Sequence, residues 1–117
     1  MITLDQVREQ IKSDPKHWRI YLMDFVDDFR YHRDPRTVAE PFALAGDRMD
    51  ALLASTAEAL CDELGIDAPE WLSRVPPCSE PYFVSGFENL KAISIVESPL
   101  RFRRRKIFVL ENFLSRV

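Results

Sequence analysis

The stretch Asp47–Gly65, DRMDALLASTAEALCDELG, constrains this chain more than any other. Asp47 is a good N-cap, because its carboxylate can accept from the free backbone N–H groups of a first helical turn. Asp50 adds negative charge at the positive end of the helix dipole. Gly65 follows the last periodic residue, where a left-handed C′ position costs glycine least. Met49, Leu52, Leu53, Leu60 and Leu64 fall on one stripe at helical spacing, with Ala57 at its edge. Arg48, Ser55, Glu58 and Asp62 fall on the other side. So wide a stripe has to be covered by other elements. The expected fold is all-α: a small orthogonal bundle of five or six helices around a central helix near 47–64, with room for one short strand pair near the C-terminus.

The flanking segments supply the cover. Thr3 and Gln6 make a capping box that opens a helix from about Leu4 to Lys12, with Ile2, Leu4, Val7 and Ile11 as its apolar side. Asp14-Pro15 starts a second helix, from about Pro15 to Tyr31, since proline suits a first helical position. Its stripe is aromatic: Trp18, Tyr21, Leu22, Phe25, Val26 and Phe29. Asp34-Pro35 ends it. Residues 34–46 form the longest connection, which Phe42 and Leu44 are expected to pin to the core. After Gly65, Asp67 caps a short helix from Ala68 to about Arg74 carrying Trp71 and Leu72. Pro76-Pro77 forces an extended exit into a loop that buries Tyr82 and Phe83. Ser85 and Glu88 form a second capping box, predicting a buried helix to about Val96 or, alternatively, a short strand at Ala92–Val96. Phe87, Leu90, Ile93, Ile95 and Val96 are spread around the axis there. Ser98-Pro99 opens one more turn, Leu100 to Arg104. Ile107, Phe108, Val109 and Leu110 suit strand or helix, and Glu111–Val117 is expected as a terminal helical turn.

A length of 117 residues suits a single domain, 1–117, and 46% hydrophobic content suffices for a core. No apolar run approaches the roughly 18 residues of a membrane span. The N-terminus lacks the charged-then-apolar order of a signal peptide. Cys61 and Cys78 make no metal or redox spacing, so two reduced thiols in a cytoplasmic protein are expected. The net charge of −3 is unevenly spread. Residues 1–70 carry 8 basic and 15 acidic side chains, a balance of −7; residues 71–117 carry 8 and 4, a balance of +4. The basic tail is therefore expected to fold back on the acidic helices.

Three places could carry chemistry. The first is the run RFRRRK at 101–106, where Arg101, Arg103, Arg104, Arg105 and Lys106 could neutralise phosphates while Phe102 and Phe108 stack on bases. The acidic pI, about 5.4, weighs against a nucleic-acid role. Arginine also pairs bidentately with carboxylates, so internal pairing is favoured. Helical spacing would put Arg101, Arg104 and Arg105 on one side, inward, and Arg103 elsewhere. The second is the outer face of the second helix, where Ile20, Asp24, Asp27 and Tyr31 place two large apolar or aromatic residues among acids. With Arg103, these are the candidate partner-binding residues. The third is the edge Asp24, Asp28, His32 at i, i+4, i+8, a conceivable metal edge for an enzyme, against which stands an ordinary solvated charged edge. No glycine-rich phosphate loop, nucleophile elbow or dyad spacing is present, and no cofactor is expected.

The stretches FVDDF at 25–29, ALCDELGIDAPEWL at 59–72 and ESPLRFRRRKIFV at 97–109 together resemble a group of poorly characterised bacterial helical proteins of actinobacterial type. The resemblance covers most of residues 18–115. It implies association with toxin–antitoxin-like or helix-turn-helix regulatory systems, and a protein partner such as a neighbouring gene would encode. Its motifs are structural, so no catalytic residue carries over. There is no room for a separate helix-turn-helix domain before residue 15. The functional expectation is a non-enzymatic protein-interaction domain, antitoxin-like in role. The alternatives are a nucleic-acid binder using 101–106 and a metal-dependent enzyme using Asp24, Asp28 and His32.

Overall fold

Residues 1–115 are described by a computed structural model; Arg116 and Val117, the end of the expected terminal turn, lie outside the described residues. Six α-helices follow in order: α1 (Leu4–Ser13), α2 (Trp18–His32), α3 (Arg48–Leu64), α4 (Glu70–Ser73), α5 (Lys91–Glu97) and α6 (Leu100–Arg103). Two short strands, β1 (Tyr82–Phe83) and β2 (Ile107–Phe108), pair in parallel, Tyr82 opposite Ile107. The fold is all-α apart from this one strand pair. α1, α2, α4 and α6 all pack on α3. No helix among the described residues is long and apolar enough to cross a membrane.

The ends of α3 are closed as its sequence dictates. Asp47 Oδ1 accepts the Met49 N–H at 3.0 Å. Gly65 sits at φ 68, and the Ile66 N–H returns to the Cys61 carbonyl at 2.9 Å. The helix differs from expectation on its polar side. Ser55 and Glu58 are buried as deeply as the leucine stripe. The basic tail covers them, and the cations it carries let those polar groups be buried at all.

α1 shows the Thr3–Gln6 box, with the Thr3 N–H donating to Gln6 Oε1 at 3.0 Å. Its buried face includes Arg8, which is only 1% exposed. The Arg8 guanidinium lies 3.0 Å from Asp47 and 3.2 Å from Asp50. Asp50, also buried, accepts the Ala45 and Gly46 N–H groups at 3.2 and 2.9 Å. One cation thus ties α1, the Ala45–Gly46 turn and the start of α3 together. Asp50 does more here than complement a dipole.

Before α2, residues Pro15–His17 form a tight 3₁₀ turn. Asp14 spends its carboxylate on His17 Nδ1 and the Tyr21 hydroxyl, at 2.8 and 2.7 Å, and caps no backbone N–H. The long connection is pinned by Val38 and Phe42, whose ring meets Trp71 edge-on at 5.4 Å. Trp71 Nε1 donates to the Val38 carbonyl at 2.9 Å. Leu44, expected to help, is 55% exposed; the Asp50-bound turn beside it already fixes the chain.

The segment after β1 departs furthest from expectation. Gly86 adopts φ 73, a left-handed conformation that breaks the Ser85–Glu88 box. Glu88–Leu90 form a 3₁₀ turn and α5 begins only at Lys91. Ala92–Val96 are helical, and the strand forms instead at Tyr82–Phe83 and Ile107–Phe108. Ser98 then bridges the chain: its hydroxyl accepts the Val109 N–H at 2.8 Å and donates to the Ser94 carbonyl.

Truncating the centre of the stripe tests this organisation. Leu60→Ala is expected to lower unfolding free energy by about 2–5 kcal/mol, because a fully buried side chain is lost. Leu44→Ala, at an exposed position, should stay within about 0.5 kcal/mol. Urea unfolding measures both.

Candidate interaction surface

The outer face of α2 presents Ile20, Asp24, Asp27 and Tyr31 at i, i+4, i+7 and i+11, all exposed. Tyr31 leans edge-on against His32, with ring centroids 4.9 Å apart. Asp28 lies on a neighbouring edge and is committed inward. Its Oδ2 accepts the Ile2 N–H at 2.8 Å, and its Oδ1 lies 3.4 Å from His32 Nε2. The i, i+4 spacing therefore joins Asp28 to His32, and Asp28 also anchors the start of the chain to α2. Among the described residues, no group of three or more His, Cys, Asp or Glu is placed to hold a metal ion. The Asp24, Asp28, His32 edge does not form a ligand set.

The basic run is divided. Arg101 grips Asp62 with Nε and Nη2 at 2.8 and 3.0 Å and reaches Glu58 at 3.3 Å. That hydrogen bonding holds the Arg101 guanidinium above its ordinary pKa. Arg105 enters the interior and bonds Glu58 directly. Its other donors reach Ser55 Oγ at 3.3 Å and the carbonyls of Val75 and Leu72 at 3.2 and 2.6 Å. Arg101 and Arg105 thus share the inward side, as spacing suggests. Arg104 does not join them; it is exposed on the side of Leu100. α6 ends at Arg103, Arg104 caps it, and Lys106 sits at φ 63; of the three spaced arginines, Arg101 and Arg105 reach Glu58. Arg103 is exposed, and its Nη2 donates to the carbonyls of Ser98 and Val96 at 2.9 and 3.3 Å. It closes the C-terminal end of α5, where a cation is favourable.

α5 carries the feature that sequence reasoning missed. Phe87, Ile93, Ile95, Val96 and Leu100, several expected in the core, are 65, 46, 49, 78 and 66% exposed. Within α5 only Ser94 is buried. The signal was present: apolar residues on every side of a seven-residue helix cannot all be buried against one neighbour. The strand pair lies beneath, where Phe83 and Phe108 stack at 5.1 Å and Lys91 covers Phe83 at 5.2 Å.

Leu100 also forms one lip of a cleft of about 490 Å³ between α3, α6 and residues 109–115. Its rims are paired: Arg30 with Glu63 at 2.8 Å, and Arg101 with Asp62. The Arg30 hydrogen bonds hold the Glu63 carboxyl below its ordinary value. A second cleft, about 560 Å³, lies between the start of α3 and residues 76–82. Arg48 lies over the Tyr82 ring at 4.0 Å there. Burial raises the Cys61 thiol to about 11 and pushes Cys78 up as well, so neither thiol is activated. No known protein family, curated protein or solved structure matches this chain.

Two outcomes follow from this geometry. Arg105→Ala leaves the buried Glu58 with only the longer contact to Arg101 and should cost about 3 kcal/mol, whereas Arg104→Ala should stay within about 0.5 kcal/mol; denaturant titration of the two variants compares them. The second outcome concerns pH. The native Cys61 thiol holds its proton more tightly than the unfolded chain's does. Its contribution to stability is therefore fully present below pH 9.0 and falls as pH rises towards about 11. Melting curves of wild type and Cys61→Ala over that range should converge as pH rises.

Proposed function

We propose that this chain is a non-enzymatic protein-interaction domain whose contact surface is α5 with its flanks. The observation that carries this is the clustering of exposed apolar side chains. Of the nine large hydrophobic residues exposed among the described residues, five fall between Phe87 and Leu100. Single exposed apolar residues are ordinary; several within one short stretch, three of them on α5, mark a contact site. The outer stripe of α2, with Ile20 and Tyr31, is a second and smaller contact face. The resemblance to bacterial helical proteins supports a toxin-like or regulatory protein as the partner, and the free Cys61 and Cys78 support a cytoplasmic setting.

The nucleic-acid alternative draws less support. Arg101 and Arg105 are spent on Glu58 and Asp62. A phosphate-binding run acts through summed charge, and this one is divided.

Affinity capture with the purified chain tests the proposal, using wild type and a folded Ile95→Asp/Val96→Asp variant as baits. A partner identified by mass spectrometry should be retained by wild type and fall by about tenfold or more with the variant. Equal capture by both baits, or DNA binding that drops steeply with salt, would overturn it.

A further inference from the structure

The apolar surface at α5 has a basic edge. The Arg103 guanidinium is fixed against the Val96 and Ser98 carbonyls, so its charge stands at the end of α5, beside the most exposed of that helix's apolar residues. Leu100 and Arg104 stand four residues apart on one side of α6 and its closing turn, joined by the Arg104 N–H to the Leu100 carbonyl at 2.9 Å. Both side chains are exposed, as is Lys106. Of the nearby carboxylates, Glu88 pairs with Lys91 at 2.9 Å, and Glu97 accepts the neutral Glu111 N–H at 2.8 Å. Three cations, Arg103, Arg104 and Lys106, thus stand against two carboxylates, Glu97 and Glu111, so the edge is cationic on balance, unlike the inner side of the same run, where Glu58 and Asp62 cancel Arg101 and Arg105. Past Leu100 the surface opens into the cleft of about 490 Å³, wide enough for a leucine or phenylalanine side chain.

We propose that this surface receives an acidic amphipathic helix from a partner protein. Its apolar side chains rest on Val96 and Leu100 and enter the cleft, and its glutamates or aspartates meet Arg103 and Arg104. The inference rests on the interaction-domain proposal above and narrows it to one partner chemistry. A second copy of this chain fits less well. The acidic face it would offer, on α2, sets its two apolar residues, Ile20 and Tyr31, eleven positions apart, about 16 Å along the helix. They cannot both rest on Val96 and Leu100. A nucleic acid would leave the apolar part of the surface without a use.

The test is fluorescence anisotropy with two labelled peptides of about 18 residues, long enough to hold a helix. Both carry leucines at i, i+3, i+4 and i+7; one has glutamate at the remaining positions and the other lysine. The glutamate peptide should bind at least about tenfold tighter, with the gap shrinking as salt is raised. Arg104→Glu should narrow or reverse the preference. Val96→Asp should remove binding while leaving the melting temperature unchanged. Equal binding of both peptides that Val96→Asp abolishes would end the acidic-partner inference and leave the interaction domain standing. No peptide binding, with wild-type self-association in sedimentation that Val96→Asp breaks, would assign the surface to a second copy and end the inference in the same way. No peptide binding, no self-association and equal capture by wild-type and variant baits would end both.

Discussion

The ion pair between Arg105 and Glu58 holds the two halves of this chain together. Glu58 lies on the side of α3 that points away from the leucine stripe, and it is 3% exposed. A carboxylate that deep is tolerated only with a cation and further hydrogen bonds beside it. Arg105 brings both. It also donates to the carbonyls of Leu72 and Val75, so one guanidinium joins α3, α4 with the chain just after it, and the turn before β2. Arg101 repeats the contact from the surface. At the other end of α3, Arg8 serves Asp47 and Asp50, though its Nη1 finds no hydrogen-bond partner there. The pair at Glu58 is the better satisfied of the two. The charge asymmetry along the sequence is thus an internal adhesive, with acidic α3 in the middle and cations arriving from both termini.

The sequence made some of this legible. Periodicity and capping residues placed α3 and its two ends, because Asp47 and Gly65 act within one turn of themselves. Local chemistry of that kind needs no knowledge of the remaining chain. Burial of Ser55 and Glu58 was not legible, since it depends on a residue 47 positions away from Glu58. Arg8 was hidden in the same way: on α1 it reads as an ordinary helical arginine until Asp47 and Asp50 come near. In the basic run, helical spacing grouped Arg101 with Arg105, which both reach Glu58, but also added Arg104, which is exposed. The engagement of Asp28 was hidden for a related reason: its partner, the Ile2 N–H, lies 26 positions away.

The exposure of α5 was not legible, because apolar character on its own reads as burial. α5 shows the limit of that equation. Its anchors are polar: Ser98 bridges to Val109, Glu97 to the Glu111 N–H, and Arg103 to its closing carbonyls. These contacts fix the helix without using its apolar side chains. Phe87, Ile93, Ile95 and Val96 are therefore left outward by a segment held in place by other means.

That separation bears on how the surface could bind. An exposed apolar segment that was also loosely held would lose ordering entropy on meeting a partner. Here the tail is locked through Arg105, the strand pair is stacked through Phe83 and Phe108, and α5 is tied at its end to β2's neighbour Val109. A partner helix would meet side chains whose backbone is already placed, and its binding energy would not be spent on folding the segment. The same locking makes the surface sensitive to distant changes. A substitution at Glu58, with no exposed atoms of consequence, would loosen Arg105, then β2, then the bridge from Ser98 to Val109 on which α5 hangs. Partner affinity would fall along with stability, although nothing at the contact had been altered.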